Sequence, residues 1–165
     1  MEPEKKILIG INLNFETPFI LSSAVSFFRE SAARFYVMHV VVANPNYSLI
    51  KNKSEQIEDK KHEAFNDIEK ILKEGGLYYL KSEIVVSAGV PYAEILNFAR
   101  KNAVEMIVIG THQKIGLKEL ISGSTSYSVA KNSNCPVLLI PLKNTARVNE
   151  TELAEERAIS FIKPA

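Results

Sequence analysis

The sequence has a single cysteine, Cys135, among 165 residues. One thiol excludes an intramolecular disulfide and a cysteine metal cluster, and it suits a reducing, cytoplasmic setting. An excess of one charge is also missing: 20 Lys and Arg stand against 19 Asp and Glu, for a net charge of +1. That balance argues against duplex nucleic acid or an anionic membrane surface as partner. No apolar run nears the roughly 20 residues needed to span a bilayer. The charged start, Met1-Glu2-Pro3-Glu4-Lys5-Lys6, has no signal-peptide character. There are no tandem repeats and no low-complexity tract. His39, His62 and His112 share no i, i+4 spacing, so a zinc site is not expected. Ser124 and Ser126 lack a nucleophile-elbow pattern and an evident base, which argues against a hydrolase triad.

What remains is an ordinary globular balance, 46% apolar and 24% charged, in a chain long enough to bury a core. Residues 7–11 form a short, β-branched apolar run, as in a strand buried on both faces. Thr17-Pro18 reads as an N-cap followed by proline at the first helical position. Leu21, Ala24, Phe28, Ala32 and Phe35 follow at helical spacing. A second strand over 36–43 contains His39, which reads as a core histidine bonded between strands. A second helix runs to about Glu74, with Ile57, Ala64, Phe65, Ile68, Ile71 and Leu72 on one face and Gly75-Gly76 ending it. His62 falls on its charged face. A third strand is expected over 78–86. Gly89-Val90-Pro91 then turns into a third helix with Ile95, Leu96 and Ala99 inward. A fourth strand, 106–109, ends at Gly110. A helix follows the small residues Gly123, Ser124, Thr125 and Ser126. Val137 and Ile140 bound the last apolar run, with Pro136 and Pro141 on either side, and Cys135 reads as a packed small side chain. Strict β-α alternation with short buried strands predicts a parallel sheet covered by helices on both faces.

Residues 108–141 carry the densest signal. Strand, polar loop, helix and strand follow in order, and the loop holds Thr111, His112, Gln113, Lys114 and Gly116. Small residues before a helix suit an anion, because the first N–H groups of a helix are unpaired and sit at its positive end. Hydroxyls on Ser124, Thr125 and Ser126 could add donors. An N-cap and simple turn glycines would account for the same residues.

Over residues 5–141 the chain resembles the universal stress protein family. The resemblance rests on Gly110, on Gly123-Ser124 at the family's distance, on 134–140 as its closing strand, and on Gly89-Val90-Pro91 as its Gly-x-Pro turn. It implies an open five-stranded sheet in the order 3-2-1-4-5, a Rossmann-like fold shared with the adenine nucleotide alpha hydrolases. A ligand crevice then lies outside the strand C-terminal ends, where the order reverses. It implies binding of an adenine nucleotide, ATP or AMP, which Mg can accompany. Asn12, Leu13, Val40 and Val41 would lie near the base, and Gly110, Thr111, His112, Gln113, Gly116, Gly123, Ser124 and Thr125 near the phosphates. Two positions depart from the family's pattern: Gln113 replaces a glycine, and Asn12 replaces an aspartate. His112 can reach a phosphate there or remain a solvated loop side chain.

The resemblance further implies a non-catalytic, regulatory homodimer that acts in stress response and pairs through the edge strand bounded by Val137 and Ile140. The alternative is a dimeric interaction module of the same fold that binds no nucleotide, with Gln113 filling the phosphate space. Residues 1–143 form the expected domain. Residues 144–165 form an extension, in which 149–152 resembles a capping box and Leu153, Ala154, Ala158 and Ile162 make an apolar stripe.

Overall fold

The computed structural model describes residues 4–29, 32–42, 53–77, 81–112 and 125–142. Strands and helices alternate along them: β1 (Lys5–Ile11), α1 (Thr17–Phe27), β2 (Ala33–Val42), α2 (Lys53–Glu74), β3 (Ser82–Gly89), α3 (Pro91–Lys101), β4 (Met106–His112), α4 (Thr125–Asn132) and β5 (Val137–Leu142). The strands form one parallel sheet in the order β3-β2-β1-β4-β5, as expected.

Alternation of side chains along the strands divides the core in two. Ile7, Ile9 and Ile11 of β1 pack with Ile20, Leu21 and Ala24 of α1 and with Ile68 and Leu72 of α2. On the other face, Leu8, Met38 and Ile107 pack with Ile95 and Ala99 of α3 and Val129 of α4. Leu8 and Ile107 are wholly buried. A fully buried aliphatic side chain stabilises by about 1.5–3 kcal/mol relative to an exposed one.

Several boundaries differ from the expected ones. α1 ends at Phe27, so Ala32 and Phe35 do not continue it. The competing demand comes from the sheet: β2 pairs with β1 from Lys5↔Ala33 onward. Thr17 is a helical residue rather than the N-cap; Glu16 occupies that place with no side-chain cap bond. β3 runs from Ser82 to Gly89 instead of 78–86, because its register pairs Phe35 with Ser82 and Val42 with Gly89. Of its expected residues, 78–80 lie outside the described ones. Phe65 is 41% exposed although it falls on the apolar side of α2. His39 behaves as expected, with Nδ1–H donating to the Ile11 carbonyl at 3.1 Å. His62 is exposed and Cys135 packs against the core.

Candidate functional site

The site follows from unequal strand lengths. β1 pairs with β2 as far as Ile11↔His39 and with β4 as far as Gly10↔Ile109. β2 continues beside β3 to Val42↔Gly89. β4 continues beside β5 to His112↔Leu142. The middle strand therefore stops short of both neighbours at their C-terminal ends. This leaves a notch at the reversal of strand order, floored by residues 11–13 and walled by 40–42 and 110–112.

The floor is held by the turn between β1 and α1. Leu13 takes the left-handed conformation, with φ at 47°. The Asn14 side chain folds back to accept the Glu16 N–H at 3.1 Å. Thr17 Oγ1 accepts the Asn14 N–H at 3.1 Å, and the Thr17 N–H donates to the Asn14 carbonyl at 3.0 Å. Such short-range polar bonds fix a turn that residue propensity alone would leave open. Asn12, at the end of β1, is exposed to solvent. Val40 is buried and Val41 is half-buried.

On the β4 wall, successive residues point to opposite faces. Thr111 faces α4, and its Oγ1 accepts the Ser126 hydroxyl at 3.2 Å. This bond places the first turn of α4, including the half-buried Thr125, beside the end of β4. His112 faces α1, where its Nε2 lies 2.9 Å from the Glu16 carboxylate. The same carboxylate accepts the Asn14 amide N–H at 3.1 Å. Glu16 is only 6% exposed, so these two donors replace the water an ionised carboxylate would otherwise hold. His112 is accordingly neither a freely solvated histidine nor wholly available to a ligand.

Gly110 has a packing role that its motif does not reveal. A Cβ there would lie 2.7 Å from Ile20 Cδ1 and 2.7 Å from Leu142 Cδ1. The glycine lets α1 and β5 close over β4. Gly89, at the end of β3, has φ at 151° and is covered by Glu94 from the first turn of α3, with Oε1 3.0 Å from where a Cβ would stand. Val90 beside it is exposed.

The structure thus brings Asn12, Leu13, Val40, Val41, Gly110, Thr111, His112 and Thr125 to one end of the sheet. Gln113, Gly116, Gly123 and Ser124 lie outside the described residues. Glu16 escaped sequence reading. Its partner is 96 positions away, and no local pattern marks the pair. Among the described residues, no group of three or more His, Cys, Asp or Glu could hold a metal ion. Nor is any helix among them long and apolar enough to cross a membrane.

The geometry agrees with known proteins. Universal stress protein MJ0531 of Methanocaldococcus jannaschii is 32% identical over 147 residues, spanning 82% of this chain and 81% of that protein. The solved structure of MJ0577 superimposes with a TM-score of 0.70 at 30% identity, over 86% of this chain and 98% of that one. A universal stress protein solved in complex with cAMP gives a TM-score of 0.60 at 16% identity, over 84% of this chain and 97% of that one. One from Archaeoglobus fulgidus, solved with dAMP, gives 0.52 at 18% identity, over 85% and 99%. The sequence profile of the universal stress protein family matches residues 4–141. The chain therefore belongs to the universal stress protein family.

Proposed function

We propose that the notch binds an adenine nucleotide and that occupancy, rather than turnover, is the protein's output. The observation that carries this reading is the short middle strand. It opens backbone edges on β2 and β4 at one end of the sheet, with the Asn12 amide exposed between them. Family relatives solved with cAMP and dAMP support adenine as the base. In this reading Asn12 and the backbone at Val40 and Val41 hold the base, since an amide both donates and accepts. The backbone at Gly110, the first turn of α4 at Thr125, and the loop residues Gln113, Gly116, Gly123 and Ser124 hold the phosphates. A divalent cation, Mg, would enter with the nucleotide phosphates. The chain acts as a cytoplasmic homodimer paired along β5, the sheet's edge strand, where Leu139 is 41% exposed.

Isothermal titration with ATP and with AMP tests the binding. Saturable heat is expected for at least one of them, and no heat at millimolar ligand overturns the reading. Asn12→Ala should weaken binding by about twofold to thirteenfold, the roughly 0.5–1.5 kcal/mol of one neutral hydrogen bond. Gln113→Gly separates this reading from the non-binding interaction module. ATP affinity that appears only in the variant favours the module; affinity already present in the parent chain favours the notch as a binding site.

A further inference from the structure

The buried carboxylate of Glu16 constrains more than the turn it belongs to. Glu16 is 6% exposed, whereas the His112 side chain it meets on the notch wall is 45% exposed. The Glu16 backbone N–H donates to Asn14 Oδ1, which turns the Asn14 amide nitrogen toward the Glu16 carboxylate, 3.1 Å away. The carboxylate accepts that bond and lies 2.9 Å from His112 Nε2. An ionised carboxylate only accepts hydrogen bonds, so Nε2 must carry a hydrogen. That requirement decides what the rest of the ring can offer. The two ring nitrogens are aimed away from each other, and Nδ1 of His112 has no hydrogen-bond partner among the described residues. A neutral ring with its hydrogen on Nε2 has a lone pair at Nδ1, which repels a phosphate oxygen. The imidazolium has hydrogens on both nitrogens and donates from Nδ1. A histidine in open solvent can change tautomer and donate while neutral. For His112 that change would break the Glu16 bond and leave a buried carboxylate short of a donor.

Among the described residues, Glu16 is the charged group that faces this ring. α1, on the same face of the sheet, has no charged residue from Thr17 to Phe27, and β5 has none from Val137 to Leu142. His39, across the end of β1, is tied to the Ile11 carbonyl. α4, on the opposite side of β4, carries Tyr127 and, in its last turn, Lys131. On the reading that the notch binds a nucleotide, we propose that Glu16 is a positioning residue: by holding the hydrogen on Nε2 it makes His112 donate to a nucleotide phosphate only as the imidazolium. Binding then takes up one proton from solvent, at Nδ1, and nucleotide affinity is coupled to pH.

Nitrogen-15 NMR of the free full-length chain tests the tautomer, with the His112 signals identified by their loss in His112→Gln. The neutral ring should carry its hydrogen on Nε2, and a hydrogen on Nδ1 overturns the proposal. Glu16→Gln keeps a carbonyl for Asn14 but turns an amide N–H toward Nε2, and should move the hydrogen to Nδ1. Titration calorimetry with ATP, in buffers of different ionisation heat, then counts the protons. Between about pH 5 and 8, the range in which histidines change charge, the parent should take up more protons per ATP than Glu16→Gln. Relative to that variant it should lose affinity by up to about tenfold per pH unit, the limit for one linked proton. The titration of ATP itself is common to both chains and cancels. Equal proton uptake in the two chains overturns the coupling and leaves the notch as a nucleotide site. Absence of heat in both chains at every pH is the failure of nucleotide binding itself, and the coupling falls with it.

Discussion

Gly110 and Glu16 show how residues at one site answer to different constraints. Gly110 sits where a phosphate-loop glycine is expected, yet its missing side chain is filled by Ile20 and Leu142. Gly110→Ala should therefore destabilise the fold by about 1–3 kcal/mol through overpacking. Urea denaturation checks this, and an unchanged midpoint would show that both neighbours can move aside. Glu16 joins the β1–α1 turn to the end of β4 through Asn14 and His112. Glu16→Ala removes the acceptor for both and should cost about 1–3 kcal/mol, whereas Glu16→Gln keeps a carbonyl oxygen and should cost less. The comparison of the two variants by thermal melting isolates the hydrogen bonds from the packing. The first of these roles hides behind a motif and the second has no motif at all. Both depend on side chains that meet only in the folded chain.

At the scale of elements, register overrides local pattern. The apolar residues after α1 keep helical spacing to Phe35, but β1 needs a partner from Lys5 onward, so β2 claims them. The third strand likewise takes its start from pairing with Phe35. The end of the sheet remote from the notch has its own fastening. Glu4 lies 2.9 Å from Lys81 and 3.1 Å from Arg34, just before β3 and within β2. The hydrogen bond from Lys81, then that from Arg34, holds the Glu4 carboxyl below its ordinary value of 4.5. A carboxylate with a lowered folded value contributes stability that is complete above the unfolded value and is lost as pH falls through the folded one. The contribution should therefore persist at neutral pH and decline below pH 4.5. The pair is exposed, so the effect should be small and should shrink further in high salt. Carboxyl-carbon NMR of Glu4 checks the titration, and Glu4→Gln should remove that portion of the acid dependence.

At the scale of the whole molecule, the proposed assembly rests on the edge strand. If β5 pairs with its copy as proposed, Leu139→Lys should shift sedimentation from dimer to monomer, because a charge on an edge strand opposes pairing. Unchanged sedimentation would place any dimer contact elsewhere. The alternation of strands and helices, the parallel sheet and most inward-facing residues were legible in the chain itself, from Ile7 and Ile9 through Ala64, Ile68 and Leu72 to Ile95 and Ala99. Periodicity records which side of an element must avoid water, and that requirement is local. The family resemblance added the strand order, which local periodicity does not encode. The unequal reach of β1 against β2 and β4, the packing role of Gly110 and the Glu16–His112 bond were decided by the tertiary structure alone. Each is a relation between residues far apart in sequence, fixed only when strands choose a register and helices settle on the sheet.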